Sequence, residues 1–442
     1  MQYRGIIVKS TIDYNISKKL DLIANVDVAV FGGGPGGICA AAAAALEGAN
    51  TILIERYGCL GGMASIGEVH PFMSNHLHGE TLDRPLYLKW INAMRKYMDE
   101  GGTVDGNLRN GERSFFLSKD LAMLGAEDMC MEAGVRILYH HNVLDSVVDN
   151  RKINHVILHS KSGLSAIAAK ICIDCTGDGD LAALSGCEFE YGNENGYCQP
   201  MTLCFKLSGV ERDIMPGHGK INQLFLQAKA AGEVNVPREN VLWFDCLDKG
   251  VIHLNTTRVL MKNATDGVEM SAAEVEGRRQ LREILHFFRK YVPGFKNARL
   301  HSVAHQIGVR ESRRICGRAY ADIKTFEQSL KYPDAIVRGR YKIDIHHPEG
   351  HGTTYGHQAE DQWYEIPYGC IVSKDVDNLL IGGRPISVDH ALHSSTRIMP
   401  ISCSVGQAAG VAAAMCLKNN CLPHDLDGVE LRKRLREFGA NL

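Results

Sequence analysis

The chain has 442 residues, 45% of them hydrophobic and 23% charged, which is more than one core usually serves and excludes a small disulfide-stapled scaffold. Its 49 Lys+Arg against 51 Asp+Glu leave a formal charge of -2, so no global field grips nucleic acid or an anionic membrane, and neither is expected as a partner.

In chain order, Val26–Phe31 is a short β-branched apolar run. The glycine turn Gly32-Gly-Gly-Pro-Gly-Gly37 follows, then an alanine-rich helix from Ile38 closed by Gly48. Thr51–Ile54 returns as a second strand ending on Glu55, so Val26–Glu55 has the length of a βαβ unit and implies parallel sheet. Gly67–Gly111 is rich in His, Asn and Gly, with one helical stretch near Leu86–Tyr97, and reads as active-site loops or a lid. Ser118–Ala133 is an amphipathic helix, followed by the strand Val135–Tyr139. Val143–Val148, His155–Ser160 and Ile167–Ile173 suggest an antiparallel meander that rejoins the sheet at Ile171–Asp174.

Strand-like segments then occur at Met201–Leu207, Val251–Val259 and Ile307–Arg310, with a long helix over Ser271–Tyr291. Asn378–Ile381 is a short strand before Gly382-Gly383-Arg384, Ile401–Leu417 a small-residue helix, and Asp427–Phe438 a surface helix. The expected fold is α/β: a Rossmann-like nucleotide-binding domain built from discontinuous segments, with an inserted mixed α+β substrate domain. Its parts are 1–205, with a loop insertion over about 67–115, then 206–364 for the substrate domain and 365–442 for the return. Met1–Leu20 has no sustained apolar segment and no run approaches the roughly 20 residues of a bilayer span, so a cytoplasmic protein without a transmembrane helix is expected. The 14 cysteines are scattered, and Cys172-Ile-Asp-Cys175 lacks a second pair, so buried thiols and no metal are expected.

Gly32, Gly34 and Gly37 form GxGxxG after a strand and at a helix opening, the context in which the motif means a dinucleotide site. Gly32 permits the tight turn, Gly34 admits a pyrophosphate, and Gly37 lets helix and strand pack closely; the helix N-terminus faces the phosphates. Glu55 stands where a carboxylate accepts hydrogen bonds from ribose hydroxyls.

Three later segments separate NAD from FAD: Leu60-Gly61-Gly62-Met63, Ile173–Asp180 with Thr176-Gly177-Asp178, and Asn378–Arg384 with Gly406-Gln-Ala-Ala-Gly410. With Ile307–Ile315, Tyr341–His346, Ile366–Tyr368 and Val292–Phe295, the chain resembles FAD-dependent oxidoreductases related to glutathione reductase and the fumarate reductase flavoproteins, over nearly its whole length. The resemblance implies FAD as cofactor. Its expected neighbours are Gly32, Gly34, Pro35, Gly36, Gly37, Glu55, Arg56, Gly61, Gly62, Met63, Val143, Thr176, Gly177, Asp178, Gly383, Arg384 and Met399. Asp178 is either a ribitol contact or the cap of a helix at Leu181–Leu184. Cys59, beside the cofactor loop, raises covalent attachment, which the resemblance does not require.

Candidate catalytic residues are Arg397, His393, His390, Arg310 and His70. Arg397 would stabilise reduced flavin or hold a substrate carboxylate or hydroxyl. His390 and His393 are either general bases or hydrogen-bonded loop histidines. Arg310, Arg313 and Arg314 around Glu311 are either an ion-paired network or an anion site, with Arg310 preferred. His70 would face the isoalloxazine, while His253 and Asn255 would line a polar pocket. Asp344, His346 and His347 read as hydrogen-bonding residues in preference to metal ligands. The expected reaction is hydride transfer between flavin N5 and a small polar substrate: a polyol, sugar derivative or hydroxy acid. The alternatives are a flavin-dependent reductase of activated C=C bonds, fumarate-reductase-like, and a non-redox FAD-binding protein. If the chain works with an electron-acceptor partner, the sequence does not name it, and the oligomeric state is left open.

Overall fold

The computed structural model describes residues 12–14, 17–98, 105–107, 113–115, 118–350 and 352–442. The first apolar run lies in a longer strand, Asp21–Phe31, whose last four residues are all buried. Burial on both faces is what a central parallel strand requires, and it explains the continuous apolar run. Asp21–Phe31 pairs in parallel with Thr51–Ile54 on one side and Gly163–Asp174 on the other. Arg136–Leu138 and Leu379–Ile381 extend the parallel sheet beyond these neighbours.

Gly163–Asp174 does two jobs along its length. Its first residues pair antiparallel with Lys152–Ser160, which pairs with Asn142–Asp149, while its end joins the parallel sheet. The third strand of the expected meander and the return to the sheet are therefore one continuous strand.

Helix Pro35–Leu46 packs against the long helix Met399–Asn419 through backbone-to-backbone approach. A Cβ at Gly406 would lie 1.9 Å from Gly36 O, and one at Gly410 would lie 2.2 Å from Ala40 O. Small residues are thus required by packing distance and not by helix propensity, which disfavours glycine. Met399–Asn419 is, among the described residues, the one helix long and apolar enough to cross a membrane, and it is buried as the central core helix.

A second core draws on residues from Met201 to Val309. There an antiparallel sheet runs Trp243–Asp245, Ile252–Leu254, Phe205–Ser208, Arg299–Val303. Phe225 of helix His218–Ala230, with Phe287 and Phe288 of helix Gly267–Tyr291, fills that core.

Three expectations change. Ile315, Phe326, Ile336 and Tyr364 join the first core, so the stretch from about 315 to 364 belongs with the nucleotide-binding domain. Its short strands are pinned to that core, Arg313–Ile315 by pairing with Phe189–Tyr191 and Ala335–Gly339 by pairing with Tyr364–Pro367. Ile307–Arg310 is no strand; Gly308 alone forms a bridge, to Thr202. His390–Thr396 is a helix capped by Asp389 and not a loop. Of the expected insertion over about 67–115, residues 99–104 and 108–112 lie outside the described residues, and the rest includes helix Leu86–Arg95 with fully buried Trp90.

Candidate active site

Three glycine turns meet at the C-terminal edge of the parallel sheet. Gly32 has φ +98°, and a Cβ there would lie 2.3 Å from Cys175 O, so the turn admits only glycine. Gly61 N–H donates to Gly33 O (2.8 Å), which joins the first turn to the second. Gly62 and Gly383 close on opposite sides: a Cβ at Gly62 would meet Gly34 Cα at 2.7 Å, and one at Gly36 would meet Gly383 Cα at 2.8 Å. Gly34 itself faces nothing nearer than 3.9 Å, so its open side is a cradle walled by backbone.

The helix Pro35–Leu46 starts at Gly34 without a side-chain cap, and Met399–Asn419 starts at Ile398 without one. Two helices therefore offer uncapped N–H groups and the positive ends of their dipoles, suited to phosphate or another electron-rich group. Glu55 is buried, accepting hydrogen bonds from Gly33 N (2.6 Å) and Tyr57 N (2.9 Å), and desolvation raises its pKa. Arg56 donates to Gln306 Oε1 (3.1 Å), and its guanidinium lies 4.8 Å from the Tyr57 ring centroid. Met63 belongs to the short helix Gly62–Ala64. Val143 lies two residues beyond His141, whose N–H donates to Glu55 O (3.1 Å). Met399 opens the long core helix and is buried.

The third wall depends on Asp174, a residue that sequence reading did not single out. It ends the central strand fully buried, accepts from Thr176 N, Thr176 Oγ1 and Ala182 N, and burial raises its pKa to about 6. Thr176 Oγ1 in turn accepts from Asp180 N (2.8 Å), so this hydroxyl shapes the loop. Asp178 is not a helix cap: Gly179 holds that position with no side-chain bond, while Asp178 Oδ1 accepts from Ser312 Oγ (2.6 Å) and Arg384 Nη2 (2.5 Å). Arg384 also donates to Gly177 O and, through Nη1, to Val309 O. It is a clamp tying the cradle to the residue preceding Arg310.

An FAD fits this arrangement. Backbone donors and a close-approach turn suit the pyrophosphate, Glu55 suits the ribose, and Gly34 leaves space that a Cβ would fill. Cys59 carries no sign of activation, since burial raises its thiol pKa.

Beyond Arg384 lies a buried cluster of polar side chains, the chamber, between the two cores. Arg310 donates to Pro200 O and Thr202 Oγ1 (both 2.5 Å) and more weakly to Asn255 Oδ1 (3.4 Å); burial, then neighbouring Arg397, brings its pKa down to about 9. Arg397, at the end of helix His390–Thr396, donates to Asp344 O (3.2 Å) and pairs with Asp344 Oδ2 at 3.6 Å, while its Nε is buried without a partner. Asp344 is held below the usual carboxylate range against burial by His346, Arg397 and Arg310. His346 is kept neutral, burial pushing its pKa down to about 3.

Gln199 was also missed. Its Oε1 accepts from the backbone N–H of His346 (3.3 Å), an obligate donor that fixes the amide orientation, and Nε2 is left buried without an acceptor. No spacing signal in the sequence marks it.

The two candidate bases differ in kind. His390 Nδ1 lies 2.8 Å from Glu311 Oε1, and Glu311 is buried, bonded also to Arg314 and to Gln199 N (3.0 Å). His393 is fully buried with both ring nitrogens unpartnered; burial, then Arg314, Arg384 and Arg397, holds its pKa far below the ordinary value. The arginine cluster resolves accordingly: Arg314 serves the Glu311 network, Arg313 pairs with Asp180 (2.9 Å), and Arg310 alone turns to the chamber.

His70 does not join them. It stacks on His253, ring centroids 5.0 Å apart and 15° from parallel, at the seam between the cores. Asp344, His346 and His347 form no metal group among the described residues, and all 14 cysteines are free.

The model of the FAD dependent oxidoreductase family matches residues 27–435. No curated protein matches the chain. Solved structures of similar fold include a geranylgeranyl bacteriochlorophyll reductase-like protein (Ta0516) from Thermoplasma acidophilum, with TM-score 0.50 and 12% identity over 94% of this chain and 84% of that one. Another is the p-nitrophenol 4-monooxygenase PnpA from Pseudomonas putida DLL-E4, with TM-score 0.47 and 11% identity over 95% of this chain and 87% of that one. At 12% identity the likeness to the first of these is one of fold alone.

Proposed function

The chain belongs to the FAD dependent oxidoreductase family, and from that premise we propose that it oxidises a small hydroxy acid, holding the carboxylate between Arg310 and Arg397. The observation that carries this reading is Arg397 paired with Asp344 at 3.6 Å, with Arg310 in the electrostatic range of the same carboxylate, in a buried polar cluster holding donors that lack acceptors. Arg397 Nε and Gln199 Nε2 are unpaired there, and a buried donor without an acceptor costs about 1–3 kcal/mol until a ligand supplies one. An acceptor-rich anion answers that need; a neutral polyol leaves the charge uncompensated.

FAD, when bound, supplies the two-electron acceptor for the hydride. The chain's own residues orient the acid and manage the proton. Arg310 and Arg397 fix the carboxylate, which orients the C–H and O–H bonds of the adjoining carbon. His390, oriented at Nδ1 by Glu311, receives the hydroxyl proton on Nε2. His393, hemmed in by three arginines, stays neutral and contributes a hydrogen bond without taking the proton.

The test is anaerobic mixing of the FAD-loaded protein with a panel of 2-hydroxy acids and the matching polyols, read as bleaching of the flavin band. Bleaching by acids and not by polyols is expected, and Arg397→Gln raises the acid concentration needed by about a hundredfold. Bleaching by polyols alone overturns the reading. An oxidised flavin unmoved by acids, together with a chemically reduced one reoxidised by unsaturated acids, transfers the same anchor to a C=C reductase.

A further inference from the structure

Arg238 sits in the second core, in the stretch after helix His218–Ala230, and is 6% exposed. Its side chain makes one hydrogen bond among the described residues, Nε to Asn240 Oδ1 at 3.3 Å. The two amino groups of the guanidinium have no partner there. Burial, then the nearby charge of Arg258, lowers its pKa.

Arg238 also stands close enough to Arg310 to disfavour the charge on that residue, so the two belong to one electrostatic environment. Four guanidiniums thus occupy the chamber and its extension: Arg397, Arg310, Arg238 and Arg258. The carboxylates that act on them are Asp344 and Glu239. Asp344 is committed to Arg397 and His346. Glu239 faces Arg258 at 3.8 Å and accepts from Gly352 N. His346 is neutral, and Tyr355, whose pKa is raised by burial, adds no charge at neutral pH. Arg258 is spent on His347 O (2.8 Å) and Gly352 O (2.9 Å), while Arg238 forms no ion pair among the described residues, Glu239 and Asp344 acting on it only from a distance.

A largely buried guanidinium with no ion pair is costly, and bidentate oxyanion recognition is what its planar fork does best. We infer that Arg238 anchors a second oxyanion of the substrate, so that the acid held by Arg310 and Arg397 carries a further carboxylate or phosphate at its far end. The inference rests on the carboxylate reading of the Arg310–Arg397 pair and extends it to the size and charge of the substrate. The second core then sets specificity through Arg238, while the first supplies the cofactor site and Arg397.

Calorimetric titration of the FAD-loaded protein with lactate, malate and 3-phosphoglycerate tests it, comparing one carboxylate with two and with a carboxylate plus a phosphate. At least one of the two probes with a second anionic group is expected to bind about tenfold or more tightly than lactate, and which one does so identifies that group. Arg238→Gln removes that advantage and leaves lactate affinity unchanged, and Arg238→Lys restores part of it. Equal affinity for all three probes in the unmodified protein overturns the inference while sparing the reading it rests on, and needs no variant to fold. An advantage that survives in a folded Arg238→Gln protein overturns it too. No heat with any of the three removes both.

Discussion

In Arg310, burial and then neighbouring Arg397 disfavour the charge of a side chain that is otherwise held as a cation. A free guanidinium stays charged throughout the working range, but this one is down to about 9. Below about pH 9 the cation is present and grips the carboxylate; as pH rises through 9 the cation, and the grip, are lost. KM for the acid is therefore expected to rise about tenfold per pH unit above 9, with kcat little changed, because an anchor of this kind binds ground and transition states alike. In Arg310→Gln, KM is high and flat across the same range. A KM that stays constant to pH 10 in the unmodified protein removes Arg310 from the anchor. The candidate bases also separate at this scale. The sequence marks His390 and His393 equally; the distinction comes from Glu311, brought to His390 at 2.8 Å, and from three arginines around His393.

At the scale of elements, the two glycine-bearing helices carry the cofactor cradle. Gly36 meets both Gly383 and Gly406, so one residue sets the position of the third turn and of the long core helix together. Gly406→Ala must push the helices apart, since its Cβ would lie 1.9 Å from Gly36 O. A loss of about 3 kcal/mol is expected, with release of FAD on gel filtration. Gly219→Ala is the matched control. Its Cβ would meet nothing within 4 Å in helix His218–Ala230, so it raises stability by about 0.5–1 kcal/mol. Comparable unfolding midpoints for the two variants would remove close helix approach as the reason for the glycines. GxGxxG, Glu55 and the small-residue helix were legible because each is local. The work of Asp174 was not, since its partners Thr176 and Ala182 are fixed only once the strand end and the following helix are in place.

On the scale of the whole molecule, the two cores meet across a polar seam that no sequence pattern announced. Glu68 is fully buried there; it accepts from Ser302 Oγ (2.8 Å) and pairs with Lys119 (3.1 Å) and Lys206 (3.6 Å). His253 Nε2 reaches Glu68 O at 2.8 Å and carries His70 stacked on its ring. The chamber depends on this seam, because Arg310 and Arg397 come from opposite sides of it. Removing one partner from a buried ion pair leaves the others uncompensated, at about 3–5 kcal/mol. The unmodified protein is expected to show one calorimetric endotherm and Glu68→Gln two, the second core melting first, with KM for the acid raised. One endotherm at an unchanged temperature would show that the cores are coupled elsewhere.

The sequence by itself determined the nucleotide-binding unit, the α/β class, the FAD-dependent family and the list from which the reactive side chains are drawn. These are properties of contiguous residues, in which strand, turn and helix lie within one short stretch and the chemistry follows from spacing. Only the tertiary structure decided which arginine meets the chamber, which histidine has an orienting carboxylate, and where the second core ends. Each of those depends on which distant segments share a buried volume, and burial sets both the charge state of a group and the partners left to it.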